Sequence, residues 1–101
     1  MKQVRYAALA LLVATLPAMG QTVVDDSATG IDEILVIHAV NAVSDAFTDP
    51  VSTQFRRLVK KPDGALCGQV NTKNTQGGYV GFKPFKFIPD RQKVYLENTG
   101  C

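Results

Sequence analysis

Lys2 and Arg5 stand ahead of an apolar run from Tyr6 to Leu16, and Ala18-Met19-Gly20 follows it, so the first question is how much of this chain is left to fold. Cations hold the start of such a segment on the cytoplasmic side while the short apolar helix enters the export machinery, and small residues fit a peptidase cleft. The pattern predicts a signal peptide over residues 1–20, cut between Gly20 and Gln21. A run of about 11 apolar residues falls short of the roughly 20 that span a bilayer, so no stable membrane span is expected after cleavage. No Cys follows the run and no Arg-Arg pair precedes it, which argues against a lipid anchor and against twin-arginine export. The expected location is periplasmic or secreted.

What remains is 81 residues, enough for one domain and near the size at which a single core is marginal without a staple. Cys67 and Cys101 are the only cysteines, and an even pair in an oxidising compartment favours a disulfide. Closing a loop of about 35 residues stabilises a fold by roughly 4 kcal/mol in the chain-entropy model. A redox pair calls for Cys-x-x-Cys and a metal site for more ligands than His38 adds, so neither a metal nor a cofactor is expected.

Charge is distributed unevenly. The whole chain carries +2, and without Lys2 and Arg5 it holds nine basic and nine acidic side chains. Asp25, Asp26, Asp32, Glu33, Asp45 and Asp49 precede the first of those nine cations, whereas residues 50–101 set all nine against Asp63, Asp90 and Glu97. Two causes fit: an acidic first half packed beside a basic second half, or a basic face that meets an anionic partner. Zero net charge removes long-range attraction to polyanions, and nucleic acid is not expected as a partner.

Residues 21–30 show no apolar period and read as a flexible acidic leader, followed by a single α+β domain over 31–101. From Ile31 to Phe47 the spacing of Val36, Val40, Val43 and Phe47, with Leu35, Ala39, Ala42 and Ala46 beside them, predicts a helix. Asp32 and Glu33 suit its first turn. Thr48-Asp49-Pro50 offers a second helix start and a short helix to about Arg57, with Phe55 as a core plug. Then the period shortens. Leu58–Lys61, Ala65–Asn71, Gly78–Ile88 and Gln92–Glu97 read as strands of a three- or four-stranded antiparallel sheet, with turns at Pro62-Asp63-Gly64 and at Ile88-Pro89-Asp90-Arg91. Val80 and Phe82 share one parity and Phe85 and Phe87 the other, so a bulge at Pro84 is expected to bring all four to the core.

The most distinctive run is Asp49-Pro50-Val51-Ser52, Phe55-Arg56, Cys67-Gly68-Gln69-Val70-Asn71-Thr72-Lys73-Asn74, then Gly77-Gly78-Tyr79-Val80-Gly81-Phe82. It resembles a family of small, exported, uncharacterised bacterial proteins that joins Asp-Pro-x-Ser-x-x-Phe-Arg to Cys-Gly-x-Val-Asn-x-Lys-Asn-x-x-Gly-Gly-Tyr-x-Gly-Phe. The resemblance covers residues 49–85 and implies a small exported domain. It implies no activity.

Residues 71–78 offer amides, hydroxyls, Lys73 and two glycines, the ingredients of a binding loop and equally of an Asx turn joining two strands. Around them, Phe55, Arg56, Arg57, Lys60, Lys61, Lys73, Tyr79, Phe82, Lys83, Phe85, Lys86 and Phe87 interleave cations with aromatics. Export favours an anionic envelope polymer or an envelope protein over nucleic acid as the partner of such a strip. The candidate binding residues are Arg56, Asn71, Lys73, Asn74, Tyr79 and Lys83. His38, in the apolar stretch of the first helix, reads as a packing residue. Asp45 and Asp49 read as exposed helix-end acids, and with no convergent constellation visible no catalytic residue is assigned. The sequence therefore points to a non-catalytic binding protein of the bacterial envelope, with a small secreted inhibitor or effector of a protein partner as the alternative and a hydrolase using His38 ranked below both.

Overall fold

Asp32 accepts a hydrogen bond from the Ile34 N–H at 3.1 Å and Glu33 lies in the first turn, so a helix starts where the acidic pair predicts one. The computed structural model describes residues 22–101; the signal peptide expected over 1–20, and Gln21, lie outside the described residues. The helix, α1, runs Glu33–Ser44. It ends three residues short of Phe47, because Ala46 and Phe47 donate to the carbonyls of Val43 and Ser44 in tight turns that unwind it. Leu35, Ala39 and Val43 form its buried stripe, flanked by partly buried Val36, Val40, Ala42 and Phe47. The stripe is thus centred one position from the expected one and Ala46 is exposed, because α1 rests its weight across two strands on one side only. His38 is exposed rather than packed.

The second helix does not form. Pro50–Ser52 make a single 3-10 turn, and Thr53 is already extended at φ −69°, ψ 143°. Strand β2 follows at Gln54–Lys60, where Phe55 is buried opposite Val70. Burying Phe55 against a distant strand is worth about 1.5–3 kcal/mol, more than a capped short helix offers, and it fixes a period of two from Gln54 onward.

The expected loose leader gives way, from Thr22, to a strand. Strand β1, Thr22–Val23, lies parallel to β2, with Thr22 N–H donating to Thr53 O at 3.1 Å and Val24 N–H to Phe55 O at 2.8 Å. Strands β3 (Leu66–Asn71), β4 (Lys83–Ile88) and β5 (Lys93–Tyr95) follow antiparallel. The α+β class holds, but the sheet has five strands in the order β1-β2-β3-β4-β5 and is mixed, not three- or four-stranded and antiparallel. Both expected turns close their hairpins, the first through Lys61 N–H to Ala65 O at 2.8 Å and Gly64 at φ 95°, the second through Gln92 N–H to Pro89 O at 3.2 Å.

Pro84 carries no bulge. The register runs unbroken through Gln69↔Pro84 and Gly68↔Phe85, and Val80 and Phe82 lie before β4, with Val80 exposed. The irregularity sits in β2, where Arg57 and Leu58 together face Gly68 and Arg57 takes φ 57°. On the side facing α1, Phe55, Leu58, Leu66, Val70, Phe85 and Phe87 make the core. Phe55 and Phe85 meet edge to face at 5.6 Å. Gly68 makes that possible: a Cβ there lies 2.7 Å from Leu58 Cδ2 and 2.9 Å from Phe85 Cε2.

Candidate functional site

Because α1 covers one side of the sheet, strand alternation assigns the other residues of each strand to a face that no helix among the described residues covers. Four cross-strand rows cover it: Gln54 beside Asn71; Arg56 beside Gln69 and Pro84; Val59 beside Cys67, Lys86 and Tyr95; Ile88 beside Lys93. None of these positions is Asp or Glu. Helix α1 and its flanks carry Asp32, Glu33 and Asp45, all exposed. Arg56, Lys86 and Lys93 of the basic half thus lie away from these acids, whereas Lys60, in a cleft with Asp32, and Lys83 lie on the α1 side.

Side chains on the open face are tied to one another. Arg56 Nε donates to Gln69 Oε1 at 2.7 Å, and its guanidinium carbon stands 3.9 Å from the centre of the Phe82 ring. Asn71 Nδ2 donates to Gln54 Oε1 at 3.2 Å, while Asn71 Oδ1 accepts from the Gly81 N–H at 2.8 Å and holds the returning loop. The Lys93 ammonium lies 5.9 Å from the Tyr95 ring centre. Cys67 and Cys101 form the expected disulfide, Cα atoms 6.1 Å apart, and pin residue 101 near the start of β3. A groove lined by Arg57, Val59, Lys61, Gln69, Pro84 and Cys101 crosses the face beside that bridge.

Of the six candidates from the sequence, Arg56 and Asn71 lie on the open face. Asn71 is buried and structural. Asn74 shapes its own loop: its Oδ1 accepts from the N–H groups of Gln76 at 2.9 Å and Gly78 at 3.1 Å, so residues 71–78 form the Asx turn that was the plainer of the two readings. Lys73 and Tyr79 pair in an isolated bridge, the Lys73 ammonium 5.4 Å from the Tyr79 ring centre, and Tyr79 OH donates to Ser52 O at 3.0 Å. Lys83 shares the parity of Phe85 and Phe87 and is separated from Arg56 by the sheet. The interleaved strip divides likewise, Phe55, Phe85 and Phe87 going to the core and Arg56, Arg57, Lys61, Phe82 and Lys86 to the open side. Gln54, Gln69, Lys93 and Tyr95 were not singled out from the sequence; a period of two begun at Gln54 would have found the first, and the alternation of Cys67 with Asn71 in the strand expected over Ala65–Asn71 would have found the second.

Asp25 and Ser27 support the bulge. Asp25 Oδ2 accepts the Arg57 N–H at 2.9 Å, Ser27 Oγ accepts the Leu58 N–H at 2.8 Å, and the Ser27 hydroxyl donates to Asp25 Oδ1 at 2.6 Å. The Ser27 hydroxyl first, and then the Arg57 N–H, hold the Asp25 carboxyl below the usual carboxylate range. His38 and Asp45 line a shallow cleft with Asn41, Ala42 and Gln92, a lining that includes no serine or cysteine to serve as a nucleophile. Among the described residues no group of His, Cys, Asp and Glu forms a metal site, and no helix is long and apolar enough to cross a membrane. Comparison with family models, curated proteins and solved structures finds no match to this chain.

Proposed function

We propose that this chain is an exported, non-catalytic binding protein of the bacterial envelope that holds an anionic envelope polymer on the open face of its sheet. The observation that supports this reading is the run of open-face register positions free of carboxylates, with Arg56, Lys86 and Lys93 among them. A cationic surface in a molecule that, without residues 1–20, balances nine charges of each sign attracts a polyanion only at short range, which suits a partner already concentrated nearby. Export is supported by the leader pattern, by a disulfide in a small domain and by the resemblance of residues 49–85 to small exported proteins. Retention on immobilised polygalacturonate or phosphorylated dextran, reversed by salt and lost on Arg56→Glu with Lys86→Glu, is the expected result; equal retention on neutral dextran refutes it.

A second reading, an inhibitor or effector of a protein partner, has its own observation. Val51, Tyr79 and Val80 are each about half exposed or more, and the Tyr79–Ser52 bond brings the loop that carries two of them beside the third. Stoichiometric capture of one protein that is lost on Val51→Asp, with no retention on the polymers, selects this reading.

A further inference from the structure

We propose that the groove beside the β2 bulge is an anion subsite, in which Arg57 and Lys61 grip one carboxylate or phosphate of a sugar polymer lying along the open face. The inference rests on the open face being the polyanion-binding surface and adds to it a defined seat.

Strict alternation from buried Phe55 puts Arg56 outward, Arg57 toward α1 and Leu58 outward. The bulge reverses the last two. Leu58 enters the core, and Arg57 joins Val59 and Lys61 along the groove. The cost is a non-glycine residue at φ 57°, the one of three such residues that lies within a strand. Left-handed backbone of this kind persists only where its surroundings hold it, and Asp25 and Ser27 do so by accepting the Arg57 and Leu58 N–H groups. Two consecutive arginines thereby reach one side of the sheet.

They arrive differently. Arg56 is committed to Gln69 and Phe82, whereas the Arg57 guanidinium makes no hydrogen bond or ion pair among the described residues. Its planar fork fits a carboxylate or phosphate edge-on, Lys61 adds a second positive charge, and the Cys67–Cys101 bridge gives the groove a covalent floor. No Asp or Glu side chain lines it, and the Asp25 carboxylate beside it is taken up by the Arg57 N–H. The Gln69 amide nitrogen, whose Oε1 partner is held by Arg56, suits a sugar hydroxyl. A lipid surface asks for apolar side chains that insert, and on these rows Val59 is the one large hydrophobic exposed by half.

The test titrates the secreted protein with polygalacturonate, phosphorylated dextran, neutral dextran and phosphatidylglycerol vesicles. Arg57→Gly keeps the left-handed backbone and removes the guanidinium. It is expected to weaken binding to at least one of the two anionic polymers about tenfold, one good charge-assisted contact, with no fall in thermal midpoint; Arg57→Lys recovers part of the loss. Arg57→Gly binding like the parent while Arg56→Ala and Lys86→Ala weaken overturns the subsite and spares the face. No binding of the parent to either anionic polymer, or binding to vesicles alone, overturns both.

Discussion

Asp25 is fully exposed yet holds a strand in place, so its charge state reports on the bulge. Its folded carboxyl sits below the ordinary range, so the unfolded chain binds a proton more readily than the native one. The stabilising contribution is complete above the unfolded value of about 3.9 and is lost as pH falls through the lower folded value. Asp25→Ala is therefore expected to lower the denaturant midpoint at pH 7, with the gap to the parent closing in acid below about pH 4; a gap independent of pH contradicts it. Gly68 is the other residue whose identity is set by a neighbour. Gly68→Ala forces Leu58 and the Phe85 ring apart, and a loss of about 1–3 kcal/mol in chemical denaturation is expected. Neither role is legible in sequence, since Asp25 works through a partner 32 positions away and Gly68 through two side chains on other strands.

At the level of elements, α1 and β2 are joined by two hydroxyls. Ser44, the last residue of α1, and Thr53, just before β2, are both fully buried with their oxygens 2.7 Å apart. Thr53 Oγ1 donates its one hydrogen to Pro50 O at 2.9 Å, so Ser44 is the donor between the two. Ser44→Ala leaves Thr53 still bonded to Pro50 and costs about 1 kcal/mol. Thr53→Val leaves the buried Ser44 hydroxyl without its acceptor, while the Pro50 carbonyl keeps the backbone N–H of residue 53, and costs about 2 kcal/mol. Thermal melts that place the two in the reverse order contradict the assignment. The long helix, the Gly64 hairpin and β3 were legible because their signals are local: an N-cap, a turn pair, a strand bounded by turns. Thr48-Asp49-Pro50 misled because a cap and a proline announce any helical turn, and Phe55 meeting Val70 holds this one to a single turn. Strand β1 left no local signal, since two residues cannot show a period and their partner lies beyond α1.

For the whole molecule the decisive staple is Cys67–Cys101, which the pairing of the two cysteines predicts. Cys67→Ser with Cys101→Ser should lower stability by about 4 kcal/mol in the chain-entropy model, a large fraction of what so small a domain holds; denaturation curves that superimpose on the parent refute this. The segregation of charge was also visible in the sequence. Its direction was not, because only the sheet sends Arg56, Lys86 and Lys93 to the side away from Asp32, Glu33 and Asp45 while Lys60 and Lys83 stay on the α1 side. That arrangement gives the protein a self-complementary front and back. At low ionic strength the carboxylates of α1 on one copy can settle against the arginines and lysines of the next, in a head-to-tail contact. Light scattering from concentrated solutions is expected to climb as salt is dialysed away and to fall back when it is restored. On the proposed function, an anionic polymer bound to that face ends such columns, so ligand and neighbour compete for the same seat.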